Sequence, residues 1–280
     1  LGERLADDPH PAAWATTNLV GIPAPVLGGT AFNAQPQPLA IAGARATHRR
    51  LFELLDTSVS AAHARDMFAH YMSLCFDLGW PAGPAAGGKT QRRAGYLKIL
   101  QGWGLDANSP AGAVLKGWVE SRFALLPTFH HEPLLAWPSH AWLRYLEEKT
   151  GRAQHNNGIW QQLDLLFEFC QWMLARFALL GEEPRSTSQV TLWRGSTRVE
   201  EQIVAGSLRA RRCTVRLNNL VSFSRTRESA GCFGDWVLEA RVPCCKLLYV
   251  PGLINTRSLE GEAEVLALGG DYEVVASYAG

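Results

Sequence analysis

Apolar residues recur every three or four positions through the first two thirds of the chain. In the last third they alternate with polar residues or run unbroken, and the change falls near residue 185. The helical spacing predicts helices over 47–55, 60–78, 110–126, 139–149 and 157–180. Ser60 is placed to cap the second, and Asn108-Ser109-Pro110 is a start signal for the third, with proline at the first helical position. Gly181 ends the last helix. Its stripe of Ile159, Leu163, Leu166, Cys170, Met173 and Phe177 is wide enough for a central helix. The β pattern predicts strands over 189–194, 215–223, 236–242, 246–250, 262–268 and 272–277. Between the first two, 197–205 reads as a helix, with Thr197 and Glu200 as a capping box. The class is α+β: a mainly helical region over 1–185, then a compact β-rich core over 186–280, packed as one unit. Eight of the ten Trp residues precede residue 186, which favours a packed helical body over a flexible arm.

Composition narrows the functions open to such a chain. It has 280 residues and a 47% hydrophobic content, ample for a core. A net charge of +1 predicts no general affinity for nucleic acid or membrane. No run approaches the roughly 20 apolar residues that span a bilayer. Leu1 to His10 is acidic without an apolar signal core, which points to a cytoplasmic location. The six cysteines have no Cys-x-x-Cys spacing. Cys75 and Cys170 sit in apolar helical surroundings and read as buried thiols. Cys244 and Cys245, adjacent on a strand, would point to opposite faces, which suits neither one zinc nor one ordinary disulfide. Arg209, Arg211, Arg212, Arg216, Arg225 and Arg227 cluster in sequence and read mostly as a solvated basic face.

Some motifs fail on context. Residues 83–90, GPAAGGKT, fit the phosphate-loop pattern residue for residue, but no strand pattern precedes them and no aliphatic run ending in Asp follows. They read as a Gly/Ala/Pro linker. Gly28-Gly29-Thr30 is no dinucleotide fingerprint. His130-His131-Glu132 lacks the spacing of a metal-binding helix, precedes a proline and reads as a loop; no metal is expected.

The last third carries a more specific set. Trp193-Arg194-Gly195 closes one predicted strand, Ser222-Phe223-Ser224 ends the next, and Glu262-Ala263-Glu264 opens a later one. On a strand, period two puts Glu262 and Glu264 on one face, where two repelling carboxylates call for a cation. Each motif alone is weak; three in this order on strands form a stronger signal. Together they resemble the Arg-Ser-Glu class of mono-ADP-ribosyltransferases, which transfer ADP-ribose from NAD to a protein side chain. The resemblance implies two packed sheets around an NAD cleft. It also implies a loop aromatic over the nicotinamide, a place that Phe233 fills. Glu260-Gly261-Glu262 is a second Glu-x-Glu; the 262/264 pair is preferred because Val265-Leu266 continues the strand at once.

The residues suit that chemistry. Breaking the glycosidic bond of NAD builds positive charge on the ribose, which a nearby carboxylate stabilises; Glu264 is assigned that role. An acceptor arginine, pKa above ~12, must be oriented and deprotonated, a task for Glu262. In the class, Glu at that place goes with arginine as acceptor. Arg194 is expected to grip phosphate or ribose and Gly195 to let backbone approach the nicotinamide amide. Ser222 is expected to hold Glu264 and the ribose, with Ser224 a lesser candidate. Taken singly, Arg194 could be a surface ion pair, either serine an ordinary strand hydroxyl, and Phe233 plain core.

Residues 17–23, TNLVGIP, and the stretch 102–130, with Asn108-Ser109-Pro110 and 115–123 LKGWVESRF, resemble the dinitrogenase reductase ADP-ribosyltransferases of nitrogen-fixing bacteria. That resemblance covers most of the chain. It implies an arginine of dinitrogenase reductase, the nitrogenase iron protein, as target, its inactivation as outcome, and control by a PII signalling protein. The helical region would then decide the target and the β-rich core would do the chemistry. Two other functions compete: an NAD glycohydrolase, with water as acceptor, and a non-catalytic NAD- or PII-binding regulator. Glu262 speaks against the first and Glu264 against the second.

Overall fold

The computed structural model describes residues 18–78, 95–135, 137–151, 157–181, 189–254 and 264–279. The loop over 83–90 and both Glu260 and Glu262 lie outside them. The longer helices are α1 (Ala61–Phe76), α2 (Tyr96–Leu105), α3 (Pro110–Phe123), α4 (His140–Thr150) and α5 (Asn157–Arg176). Their starts follow the capping rule. The Ser60 hydroxyl accepts from the His63 N–H, that of Ser109 from Gly112, and that of Ser139 from Trp142. Helix α2 was not foreseen. Its N-cap is Gly95, with no side-chain cap, and Gly102 and Gly104 lie within it.

Helix α5 is the centre, as its wide stripe predicts: Ile159, Leu163, Leu165, Leu166, Phe167, Phe169, Cys170 and Met173 are all fully buried. Three polar residues on this helix are anchors. Asp164 accepts from Trp118 Nε1 at 2.7 Å and from Arg122 Nε and Nη2 at 2.8 and 2.9 Å. Buried Glu168 accepts from the Ile41 N–H at 2.6 Å and from Arg45. Gln171 donates to the carbonyls of Cys244 and Leu247 at 3.2 and 2.8 Å. Buried polar groups matched in this way avoid the desolvation penalty and fix relative position.

The strands are the ribbon β1 (Phe129–His130) and β2 (Glu132–Pro133), then β3 (Gln189–Ser196), β4 (Ile203–Ser207), β5 (Arg212–Ser224), β6 (Trp236–Pro243), β7 (Leu247–Tyr249) and β8 (Glu264–Tyr278). Strands β3 to β8 form one antiparallel hydrogen-bonded network in the order β4-β5-β3-β6-β8-β7, with an added β5–β8 pairing. The run β5-β3-β6-β8 therefore closes on itself. Strand β5 follows β8 from Arg212↔Val275 to Ser224↔Glu264, with a register shift between Leu217 and Leu220, but meets β3 only at Trp193↔Ser224. One hydrophobic core joins the sheet to α1, α2, α3 and α5. Among the described residues no helix is long and apolar enough to cross a membrane.

Several expectations are corrected. The strands expected over 262–268 and 272–277 are one continuous β8, because Gly269-Gly270 stays in the strand, Gly270 pairing with Leu217 of β5. The helix expected over 197–205 is only Val199–Gln202; its N-cap is Arg198, so Thr197 forms no capping box, and the chain turns into β4 at Ile203. Cys244 and Cys245 are not on a strand. They lie in a 3₁₀ turn after Pro243 and both are buried. Cys75, near the end of α1, is exposed. Arg209, Arg211, Arg212 and Arg225 are exposed, as a solvated face requires, whereas Arg216 grips both Asp271 oxygens at 2.8 and 2.9 Å.

Gly270 has φ +111°, and a Cβ there would stand 2.5 Å from the Gly28 carbonyl oxygen, which accepts from Asp271 N–H at 2.7 Å. Gly270→Ala is expected to destabilise the protein by about 1–3 kcal/mol through strain at this backbone angle, read as a lower urea midpoint at unchanged m-value.

Candidate active site

Register brings the polar residues of β5 and β8 together. Glu264, the first residue of β8, is directly opposite Ser224. Ser222, two positions back, shares that face and lies within diagonal reach. Its hydroxyl donates to Glu264 Oε1. Phe223, between the serines, is buried in the core against Tyr272.

Arg194 reaches the same place from β3. Its Nη1 donates to the Ser222 carbonyl at 2.7 Å, tying together two strands that otherwise pair at one position. Its Nε is buried and has no hydrogen-bond partner among the described residues. Burial pushes the guanidinium below its ordinary pKa, and the Glu264 carboxylate pulls it back up. This is no surface ion pair: a fixed cation sits beside Glu264.

Gly195 serves close packing. A Cβ there would fall 2.1 Å from the Ala230 carbonyl oxygen and 2.9 Å from Phe233 Cβ. The short helix α6 (Arg227–Gly231), capped by Thr226, turns the chain back over β3, and the Phe233 N–H donates to Ala230 O at 3.0 Å. Phe233 is 57% exposed, so it is not core. A large aromatic held at a pocket rim is placed to cover a planar ligand.

Glu264, Arg194, Gly195, Ser222, Ser224 and Phe233 all line one cavity of ≈ 320 Å³. Glu262 lies outside the described residues. The rest of the wall, Trp103 to Ala107, comes from the end of α2 and the turn after it. Trp103 Nε1 lies 2.9 Å from Ser222 Oγ and 3.3 Å from Glu264 Oε1. Nothing in local sequence marks Trp103, because its partners are more than a hundred residues away; it falls inside the stretch that carries the longer resemblance.

A second cavity, ≈ 960 Å³, adjoins the first and shares Trp103, Ala107, Arg194 and Ser222 with it. Lys116 and His131 line it. Burial lowers Lys116 to about 8, against the raising effect of Asp106 and Glu148. Its ammonium, which can only donate, lies 3.2 Å from His130 Nδ1, so the His130 Nε2–H faces Glu148 at 3.0 Å. Burial and Lys116 together hold His130 down to about 4. One ligand atom each from His130, His131 and Glu148 lies within 4.8 Å of the others. With Lys116 and Arg144 both bonded into it, the cluster is a hydrogen-bond network around the Arg144–Glu148 ion pair. The expected loop is thus a tight β1–β2 turn with its histidines anchored on α4.

Glu264, Ser222, Arg194 and Phe233, the residues singled out by the resemblance to the mono-ADP-ribosyltransferases, thus line one cavity on antiparallel strands. Comparison with known proteins carries this further. The family model for dinitrogenase reductase ADP-ribosyltransferase (DRAT) matches residues 17–276. The chain is 46% identical over 273 residues to the NAD(+)--dinitrogen-reductase ADP-D-ribosyltransferase of Rhodospirillum rubrum, a match covering 96% of this chain and 97% of that protein. No solved structure matches. The chain belongs to the dinitrogenase reductase ADP-ribosyltransferase family.

Gly195→Ala is expected to push α6 and Phe233 off the pocket. Turnover in the family's reaction should fall on the order of 10–100-fold, since small misplacements at a reacting centre are costly. Steady-state kinetics beside thermal unfolding checks this: a fall in turnover in a protein that still folds, with a lowered melting temperature, is the expected pair.

Proposed function

We propose that this chain transfers ADP-ribose from NAD to an arginine of dinitrogenase reductase, releasing nicotinamide and inactivating the target, and so regulates nitrogen fixation. Membership of the family supports the reaction and the target. The observation that carries the reading to residues is the clasp on Glu264: Ser222 and Trp103 donate to it, Arg194 stands beside it, and an exposed Phe233 lines the same cavity.

Each side chain then has a task. Phe233 covers the nicotinamide. Arg194 holds a phosphate or ribose oxygen, and Ser222 and Ser224 support the ribose side. As the ribose–nicotinamide bond breaks, nicotinamide leaves with the bonding pair and positive charge develops on the ribose, opposite Glu264. An arginine nitrogen of the target attacks the ribose carbon and loses a proton, with Glu262 as acceptor and guide. The cavity residues offer a fit for NAD: a carboxylate for the ribose, a cation for the phosphates and an aromatic for the ring.

The two layers proposed around the NAD cleft are the halves of this network, divided near the register shift of β5 between Leu217 and Leu220. The helical region over 1–185 recognises the target and a PII regulator, and 186–280 forms the catalytic core. A stable protein–protein interface buries about 800 Å² per partner, more than an arginine pocket supplies. The cytoplasm is the proposed location.

Radiolabelled NAD mixed with this protein and the iron protein tests the reading, with the modified residue mapped by mass spectrometry. Label on an iron-protein arginine supports it, free ADP-ribose alone would mean a glycohydrolase, and neither product a non-catalytic binder. Glu264→Gln is expected to abolish both transfer and hydrolysis, by on the order of 10²–10³ or more, with NAD affinity within a few-fold. Glu262→Gln is expected to lose arginine transfer and retain NAD hydrolysis. If both activities fell together in the second variant, the division of labour would fail and the 260/262 pair would become the candidate.

A further inference from the structure

We infer that Trp103, supplied by the helical region, is a positioning residue for Glu264: its indole N–H fixes which way the Ser222 hydroxyl points and so holds the carboxylate for reaction. The inference rests on the reading of Glu264 as the catalytic carboxylate.

The direction of the hydrogen bonds follows from the donor inventory. An indole nitrogen donates and cannot accept. Trp103 Nε1 is 2.9 Å from Ser222 Oγ, so that oxygen must accept there. The Ser222 proton is then committed to its other neighbour, Glu264 Oε1. The same indole N–H is 3.3 Å from that carboxylate oxygen, a three-centre arrangement. One donor-only group thus orients a two-way hydroxyl, and both donors converge on one oxygen. In a chain of this kind each bond polarises the next. With a neutral acceptor in place of Trp103, Ser222 could turn its proton away and leave the carboxylate without its clasp.

Trp103 has no freedom to drift. It is 4% exposed. Gly102, beside it on α2, packs so closely on α3 that a Cβ would lie 2.5 Å from Ala111 Cβ. The Lys116 ammonium stands over its ring, 6.0 Å from the centroid. Helix α3 is in turn bound to β5 by Asn219, whose amide donates to the carbonyls of Lys116 and Leu125, both at 2.9 Å. The indole is therefore registered against the strand that carries Ser222.

Hydrogen bonds to a carboxylate favour its charged form, so removing them raises the pH at which it protonates. Loss of the indole N–H should therefore move the acid limb of the kcat–pH profile to higher pH. It should also lower kcat on the order of 10–100-fold, as for a hydrogen bond to a charged group. Because the effect falls on the ribose side, hydrolysis of NAD and transfer to the iron protein should drop by the same factor, with KM for NAD within a few-fold.

The test uses the full chain with Trp103→Phe and, separately, 3-benzothienyl-alanine placed at position 103, which keeps the bicyclic shape and lacks the N–H. Melting temperature, NAD hydrolysis, transfer to the iron protein and the kcat–pH profile are measured for each. The expected result is a folded benzothienyl protein with lower kcat, nearly unchanged KM and a shifted acid limb. A benzothienyl protein with wild-type kcat and wild-type acid limb overturns the inference, even if Trp103→Phe is inactive, because packing alone would then explain the tryptophan. Glu264→Gln measured alongside keeps the two levels apart. If it turns over normally, the catalytic reading of Glu264 fails. If it is inactive while the benzothienyl protein is normal, only the role of Trp103 fails.

Discussion

A carboxylate at the start of a largely buried strand has to be met by donors and a cation, and the packing around this site answers to that requirement. Val265 to Leu268, which follow Glu264 on β8, are buried. Each group that meets the charge comes from a different element: a hydroxyl from β5, a guanidinium from β3 and an indole from α2. No local stretch of chain could assemble this set. The pocket exists only when the helical region is docked on the sheet, so the geometry of the proposed site and the main hydrophobic core are one structural problem.

The docking is specified by polar anchors more than by apolar area. Leucine and phenylalanine contacts favour burial but tolerate sliding. Asp164, Glu168 and Gln171 on α5 bind fixed donors and acceptors on α3, the segment around Ile41, and the turn before β7. Asn219 does the same between β5 and α3. A helix displaced by one turn would leave each of these buried groups unmatched at once. Such groups are costly to leave unpaired, so a single packing arrangement is favoured.

Much of the fold was legible because its signals are local. Serine caps at 60, 109 and 139 and the wide stripe of α5 place helices, and the β-prone runs after residue 185 place strands within a few residues. Signals that depend on distant context misled. Thr197 and Glu200 have the spacing of a capping box, yet β4 pairs with β5 from Ile203 and shortens the helix. Cys244 and Cys245 were read as strand residues, but Pro243 leads into a turn that Gln171 secures from α5. Helix α2 went unseen because its N-cap is a glycine and two glycines interrupt its pattern. The polar members of the proposed site that stand on strands were legible as an ordered set. Trp103 was not, since only the fold brings residue 103 to residue 264.

The electrostatics around the site follow from this packing. A net charge of +1 over the whole chain says little about the local field. Arg194 and Lys116 line the shared and adjoining cavity walls, and burial lowers the pKa of both. Lowered values mean that burial takes more hydration from these cations than the surrounding carboxylates and dipoles restore. Where water is scarce, the interaction of unit charges grows severalfold over its value in bulk solvent. In the proposed reaction, a carboxylate held by two donors in such surroundings has little reorganising left to do when positive charge develops in front of it. The helical region, by supplying the indole and excluding water on one side of the cavity, contributes to that preorganisation as directly as the strands do.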